Sequence, residues 1–161
     1  MTMPARAAEL INTLGMRPHP EGGHFVELFR SAHRVSALGR NVERPAITTI
    51  YFLLAAGEVS RWHRVQSDEI WHYQEGDAIE LLLFNDGGLR RTRLGPVAHE
   101  TRPTVIVPAG TWQAARTTGA YTLVACTVGP GFDFEDFALA SDWPEVAQRI
   151  ASAGQDLARL I

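Results

Sequence analysis

The chain has 161 residues, 45% of them hydrophobic, enough for one self-sufficient core that buries roughly 70% of the unfolded surface. Its formal charge of −3, with arginines scattered along the chain, offers no basic face and argues against nucleic acid as a partner. All fifteen basic residues are arginine, which excludes a lysine Schiff base, a lysine-anchored pyridoxal phosphate and a Walker A loop.

A short helix is expected first, with Pro4 in its opening turn, Leu10, Ile11 and Leu14 as its apolar stripe, and Gly15 as its stop. The opening MTMPARAAEL lacks the basic and apolar regions of a signal peptide. The turn-rich RPHPEGG then ends the helix; it could close one mouth of a barrel and bring Glu21 or His24 near a ligand, although turn chemistry alone accounts for its prolines and glycines. Strand-like runs follow at His24 to Arg30, Ala46 to Leu54, Glu58 to Arg64, Glu69 to Gln74, Ile79 to Phe84, Leu89 to Leu94, Val105 to Val107, Thr111 to Arg116 and Tyr121 to Val128. Short strands at even spacing between Gly and Pro turns indicate an all-β sandwich or barrel. The longest apolar run, Ile79 to Phe84, is too short to span a bilayer, so no membrane is expected. Cys126 is the only cysteine and lies in an apolar strand; it cannot form an internal disulfide, it reads as a small core residue, and a cytoplasmic location is expected. Phe132, Phe134 and Phe137, among Asp133, Glu135 and Asp136, read as an alternating strand or a dimer seam. A final helix is expected behind Ser141 or Asp142 as cap and Pro144, broken at Gly154. No linker divides residues 1–161, so one domain is expected.

Gly57, His63, Glu69 and Gly76 stand at the spacing G-x5-H-x5-E-x6-G, each glycine at a strand boundary, and Pro108-Ala109-Gly110-Thr111-Trp112-Gln113 follows. The first resembles the leading motif of the cupin superfamily, G-x5-H-x-H-x3–4-E-x6-G, and the second its P-x-G-x2-H. The passages PHPEGGHF, TTIYFLL, WHRVQSDEIWHY, VPAGTWQAAR and YTLVACTVGPGFDFEDFALA are similar to the cupin type-5 branch, long labelled a domain of unknown function. The resemblance implies a double-stranded β-helix, a flattened jelly-roll barrel with short helices at both ends, and in general a dimer. Val65 and Gln113 stand where the superfamily usually has metal-binding histidines.

Strand alternation says which side chains can meet. With His63 inward, Arg61 and Val65 share its face, Glu69, Trp71 and Tyr73 line the next strand, and His72 points away. Gln113 comes from the second hairpin. The expected site therefore has His63 and Glu69 as catalytic groups and Arg61, Trp71, Tyr73 and Gln113 as substrate-binding groups, around a small polar ligand that is sugar-like or carboxylated. His63, Glu69 and Gln113 would hold a divalent metal only weakly, because a neutral amide is a poor donor, and no tightly bound cofactor is expected. Without metal, Glu69 is expected to orient His63 and raise its pKa toward neutrality, making it a general base of the isomerase, epimerase or lyase type. This is similar in logic to metal-free cupins that epimerise nucleotide-linked keto sugars. A non-catalytic binding cupin and a metal-dependent oxygenase or isomerase stand as alternatives. Apolar residues on both faces of TTIYFLL and AIELLLF suggest a homodimer.

Overall fold

Alternating apolar residues and frequent Gly and Pro punctuation drive much of this chain into strands. The computed structural model describes residues 3–37 and 41–161. Helix α1 (Ala5–Leu14) follows Pro4 and ends at Gly15 in the left-handed conformation (φ 64°). Thirteen strands follow: β1 (Arg17–Pro18), β2 (His24–Arg30), β3 (Arg34–Ser36), β4 (Glu43–Pro45), β5 (Thr48–Ala55), β6 (Val59–Val65), β7 (Asp68–Gly76), β8 (Ile79–Asn85), β9 (Gly88–Leu94), β10 (Thr104–Val107), β11 (Trp112–Thr117), β12 (Tyr121–Gly129) and β13 (Phe137–Leu139). Helices α2 (Pro144–Ala153) and α3 (Gln155–Ala158), separated at Gly154, close the chain. The expected caps Ser141 and Asp142 instead sit in a 3-10 turn, and Trp143 takes the N-cap position without a side-chain hydrogen bond.

The strands form a six-stranded sheet in the order β1-β2-β5-β12-β7-β10 and a five-stranded sheet in the order β13-β6-β11-β8-β9, with β3 and β4 as a separate ribbon. This is the expected double-stranded jelly roll, but its two sheets face each other without hydrogen bonds closing them into one barrel. Between them lies a core that includes Phe52, Leu54, Trp71, Leu81, Leu83 and Val124. The second apolar faces of TTIYFLL and AIELLLF are covered within the chain. Leu53 and Ala55 of β5 pack with Ala7 and Leu10 of α1. Leu82 and Phe84 of β8 pack with Ile150 and Leu157 from α2 and α3.

One irregularity positions the functional residues. Opposite β11, Gln113 pairs with His63 but Ala115 pairs with Ser60, so β6 carries one extra residue at Arg61–Trp62. A β-bulge of this kind resets which side chains share a face. Ser60, His63 and Val65 turn inward, while Trp62 turns out under the C-terminal helices and donates Nε1–H to the Leu157 carbonyl (3.1 Å). The two backbone N–H groups of the bulge are each taken by a terminal segment. Arg61 N–H donates to the Glu21 carbonyl and Trp62 N–H to the Leu160 carbonyl, both at 2.8 Å.

The Glu21-Gly22-Gly23 turn can dock on β6 only because Gly22 has no side chain. Gly22 has φ 111°, and a Cβ on it would stand 2.1 Å from the Val59 carbonyl oxygen. Gly22→Ala should therefore lower Tm by roughly 2–12 °C, from a backbone strain of about 1–3 kcal/mol. A thermal melt unchanged from wild type would show that the turn can dock another way.

Candidate active site between the sheets

A cavity of about 220 Å³ lies between the sheets, lined by His63, Val65, Glu69, Trp71 and Cys126 at its deep end and by Phe25, Phe52, Phe132 and Phe134 along its walls. Arg17, His19, Glu21, Glu27, Arg30 and Thr48 complete the polar lining. His63 is only 2% exposed and Glu21 6%.

Glu21, read from the sequence only as a group that a closed barrel mouth could bring near a ligand, is the partner of His63. His63 Nε2 lies 3.2 Å from Glu21 Oε2. His63 Nδ1 lies 2.7 Å from the Arg61 carbonyl, which can only accept, so Nδ1 carries the ring proton and Nε2 faces Glu21 with its lone pair. The Ser60 hydroxyl donates to the other Glu21 oxygen at 2.7 Å. Burial pushes the Glu21 carboxyl up to about 8, against smaller lowering pulls from Ser60 and Arg61. Glu21 is thus the acid of a neutral O–H···N pair with His63.

Glu69 has a different setting. Gln113 Nε2 donates to Glu69 Oε2 at 2.6 Å, and Trp71 Nε1–H donates to Gln113 Oε1 at 3.1 Å, which fixes the amide's orientation. Burial raises the Glu69 pKa, opposed by the nearby His63, the Gln113 amide and the Cys126 thiol. Burial likewise lowers His63, outweighing the attraction of Glu69. The expectation that Glu69 orients His63 and raises its pKa is therefore corrected: Glu21 holds the ring, and desolvation wins over charge.

The other expected site residues divide. Trp71 lines the cavity. Gln113, 1% exposed, acts behind Glu69 and is absent from the cavity wall. Arg61 does not reach the cavity, because the bulge swings it outward, where it donates to the Pro20 carbonyl at 2.7 Å. Tyr73 keeps its parity but lies beyond the cavity's end, with its hydroxyl on the Gly76 carbonyl at 2.6 Å. His72 points away as expected, within 3.4 Å of Thr104 Oγ1. Cys126 is buried beside Glu69, and burial pushes its thiol well up.

The aromatic series at Phe132–Phe137 is not one long alternating strand. A 3-10 turn (Phe134–Asp136) leads into β13, which pairs with β6 and sets Phe137 against the His63 ring at 5.5 Å between centroids. Phe132 N–H donates to Thr48 Oγ1 and its carbonyl accepts from Arg30. Arg44 of β4 clamps the turn through Nε and Nη2 to Asp136, at 2.9 and 3.0 Å. A three-residue strand leaves too little periodicity to be read from sequence. His19, also missed, packs edge-on to Phe25 at 4.6 Å and lies 3.5 Å from Glu21 through Nδ1, and burial holds its pKa down to about 4.

The metal that this fold class commonly carries does not fit these donors. Val65 offers an alkyl group, the Gln113 oxygen is committed to Trp71, and His63 Nε2 faces Glu21. Among the described residues no group of three or more His, Cys, Asp or Glu is arranged to hold a metal ion. His63 is thus committed to Glu21 and the Arg61 carbonyl, and Gln113 to Glu69 and Trp71, which does not suit the three as a ligand set.

The family profile described as "Cupin superfamily (DUF985)" matches residues 8–140. A solved hypothetical protein from Leishmania major is 33% identical, with a TM-score of 0.77 over 86% of this chain and 93% of that one. A solved protein from Shewanella oneidensis is 32% identical, with a TM-score of 0.74 over 90% of this chain and 92% of that one. An uncharacterised protein of Saccharomyces cerevisiae is 28% identical over 149 residues, 83% of this chain and 74% of its own length. None of the described helices is long and apolar enough to cross a membrane.

Two substitutions probe this site. The raised Glu21 pKa means that the folded state holds its proton more tightly than the unfolded chain does. That contribution is whole below pH 4.5 and is lost as pH rises from there through about 8. Glu21→Gln keeps a donor for His63 without an ionisable proton, so its Tm should fall less than wild type between pH 6 and 9; parallel profiles would refute a buried acid. Val65→His with Gln113→His should create a set of three imidazoles and a carboxylate that binds Zn at least about tenfold more tightly than the parent, read by chelator competition. Equal affinities would show that the parent already holds a competent metal site.

Proposed function

We propose that this chain, which belongs to the DUF985 family of the cupin superfamily, is a small-molecule enzyme that moves protons without a metal. The observation that carries this reading is the 3.2 Å contact between His63 Nε2 and Glu21 Oε2, in a cavity that also presents Glu69. Hydrogen bonding gives the three groups different parts: Glu21 is the buried acid, His63 holds that acid in place through its Nε2 lone pair, and Glu69, which accepts from the Gln113 amide, is the base. The reaction class that suits them is isomerisation or epimerisation next to a carbonyl. Glu69 takes the proton from the carbon as the C–H pair becomes a C=C bond. The Glu21–His63 pair protonates the carbonyl oxygen, whose π pair moves onto oxygen, and the enol so formed collapses by the reverse steps with the proton returned at a different carbon or face. The buried aromatic walls keep water from the intermediate.

The test is deuterium exchange in D2O across panels of keto acids, sugar phosphates and nucleotide-linked keto sugars, read by mass spectrometry. A substrate should gain one deuteron at the carbon beside its carbonyl, and Glu21→Gln, His63→Gln or Glu69→Gln should each slow the exchange by about 10²-fold or more. A compound that binds in the cavity without exchanging, across all panels, would replace the enzyme with a non-catalytic binding protein.

A further inference from the structure

We propose that the mouth of the cavity is an anion subsite, where the Arg17 guanidinium and the His19 Nε2–H receive a terminal carboxylate or phosphate of the ligand. The inference rests on the reading of the cavity as a small-molecule site and names the class of molecule it takes. Arg17 pairs across β1 and β2 with Phe25, so the two side chains share the face that lines the cavity. Its guanidinium carbon lies 4.9 Å from the Phe25 ring centroid, a stacking that holds the planar fork in place.

The charge balance of the lining singles out Arg17. The other lining cation, Arg30, is neutralised by two hydrogen bonds to Glu27, at 3.1 and 2.7 Å. Arg17 makes no ion pair among the described residues. Beside it, His19 Nδ1 accepts from the Glu21 backbone N–H at 3.2 Å, so the ring proton sits on Nε2, which has no protein acceptor among the described residues. A forked cation and a neutral N–H donor at one rim are complementary to a carboxylate or phosphate. The deep end offers the Glu21–His63 pair and Glu69, suited to a hydroxyl or carbonyl, and Phe25, Phe52 and Phe134 flank the space between. At about 220 Å³, the cavity takes a metabolite with a short body and one anionic end.

Calorimetric titration of the full chain with benzoate, phenyl phosphate and the neutral benzamide and benzyl alcohol tests this, using wild type, Arg17→Gln and Glu21→Gln. Arg17 is exposed, so its variant should fold, as circular dichroism will verify. At least one anion should bind wild type about tenfold more tightly than the neutral probes, and Arg17→Gln should remove that preference while Glu21→Gln keeps it. Whichever of benzoate and phenyl phosphate binds better identifies the anion as carboxylate or phosphate. Neutral probes binding as well as anions, or an anion preference that survives Arg17→Gln, would overturn the subsite and leave the proton-transfer reading standing. If no probe binds at millimolar concentration, the subsite falls; the proton-transfer reading falls only if deuterium exchange is also absent across its own panels.

Discussion

The extra residue in β6 at Arg61–Trp62 decides where Ser60, Arg61, Trp62 and His63 point and where Glu21 docks. A bulge leaves backbone N–H groups without ladder partners, and a buried unpaired donor is costly. Here the two donors are satisfied by opposite ends of the chain, Glu21 from the N-terminal segment and Leu160 from the C-terminal helices. The same irregularity that turns His63 and Ser60 inward therefore delivers Glu21 to both of them, and covers Trp62 on the other face. Fold and site share one hinge of geometry.

Burying a carboxyl is tolerable only when its polar atoms are occupied and its charge is suppressed. Glu21 meets both conditions, with Ser60 on one oxygen, His63 on the other and a raised pKa. Glu69 meets the first through the Gln113 amide, itself oriented by Trp71. Gln113, at the position where a metal-binding histidine is usual, thus exchanges a ligand's role for that of a donor to the carboxyl. Val65 at the second such position leaves an apolar wall. With Val65 and Gln113 at these positions, the side-chain partner of His63 is Glu21.

The aromatic wall is held by polar contacts on two sides. Arg44 grips Asp136 with a two-point fork behind the wall, and Thr48 and Arg30, both in the cavity lining, pin the backbone of Phe132. Exposed Phe134 at the mouth is the least enclosed of this group, at 55% exposure, while Phe137 is stacked on the histidine.

Local pattern was enough to determine the longer strands and the family. The runs at His24 to Arg30, Ile79 to Phe84 and Tyr121 to Val128 alternate over enough residues to declare their conformation, and the glycine, histidine and glutamate spacing fixes the paired hairpins. Parity also placed Glu69, Trp71 and Gln113 together and sent His72 away, because β7 and β11 are regular between those residues. It failed at Arg61, since a bulge has no composition of its own, and a single inserted residue inverts every assignment beyond it. It failed at Tyr73 because parity gives a face and not a depth. Only the tertiary structure could join Glu21 and His19 to His63, since contacts between residues some forty positions apart depend on how a glycine turn docks, not on spacing. The protonation states followed from that docking: a carboxyl and an imidazole have ordinary pKa values in the sequence, and acquire unusual ones only once water is removed.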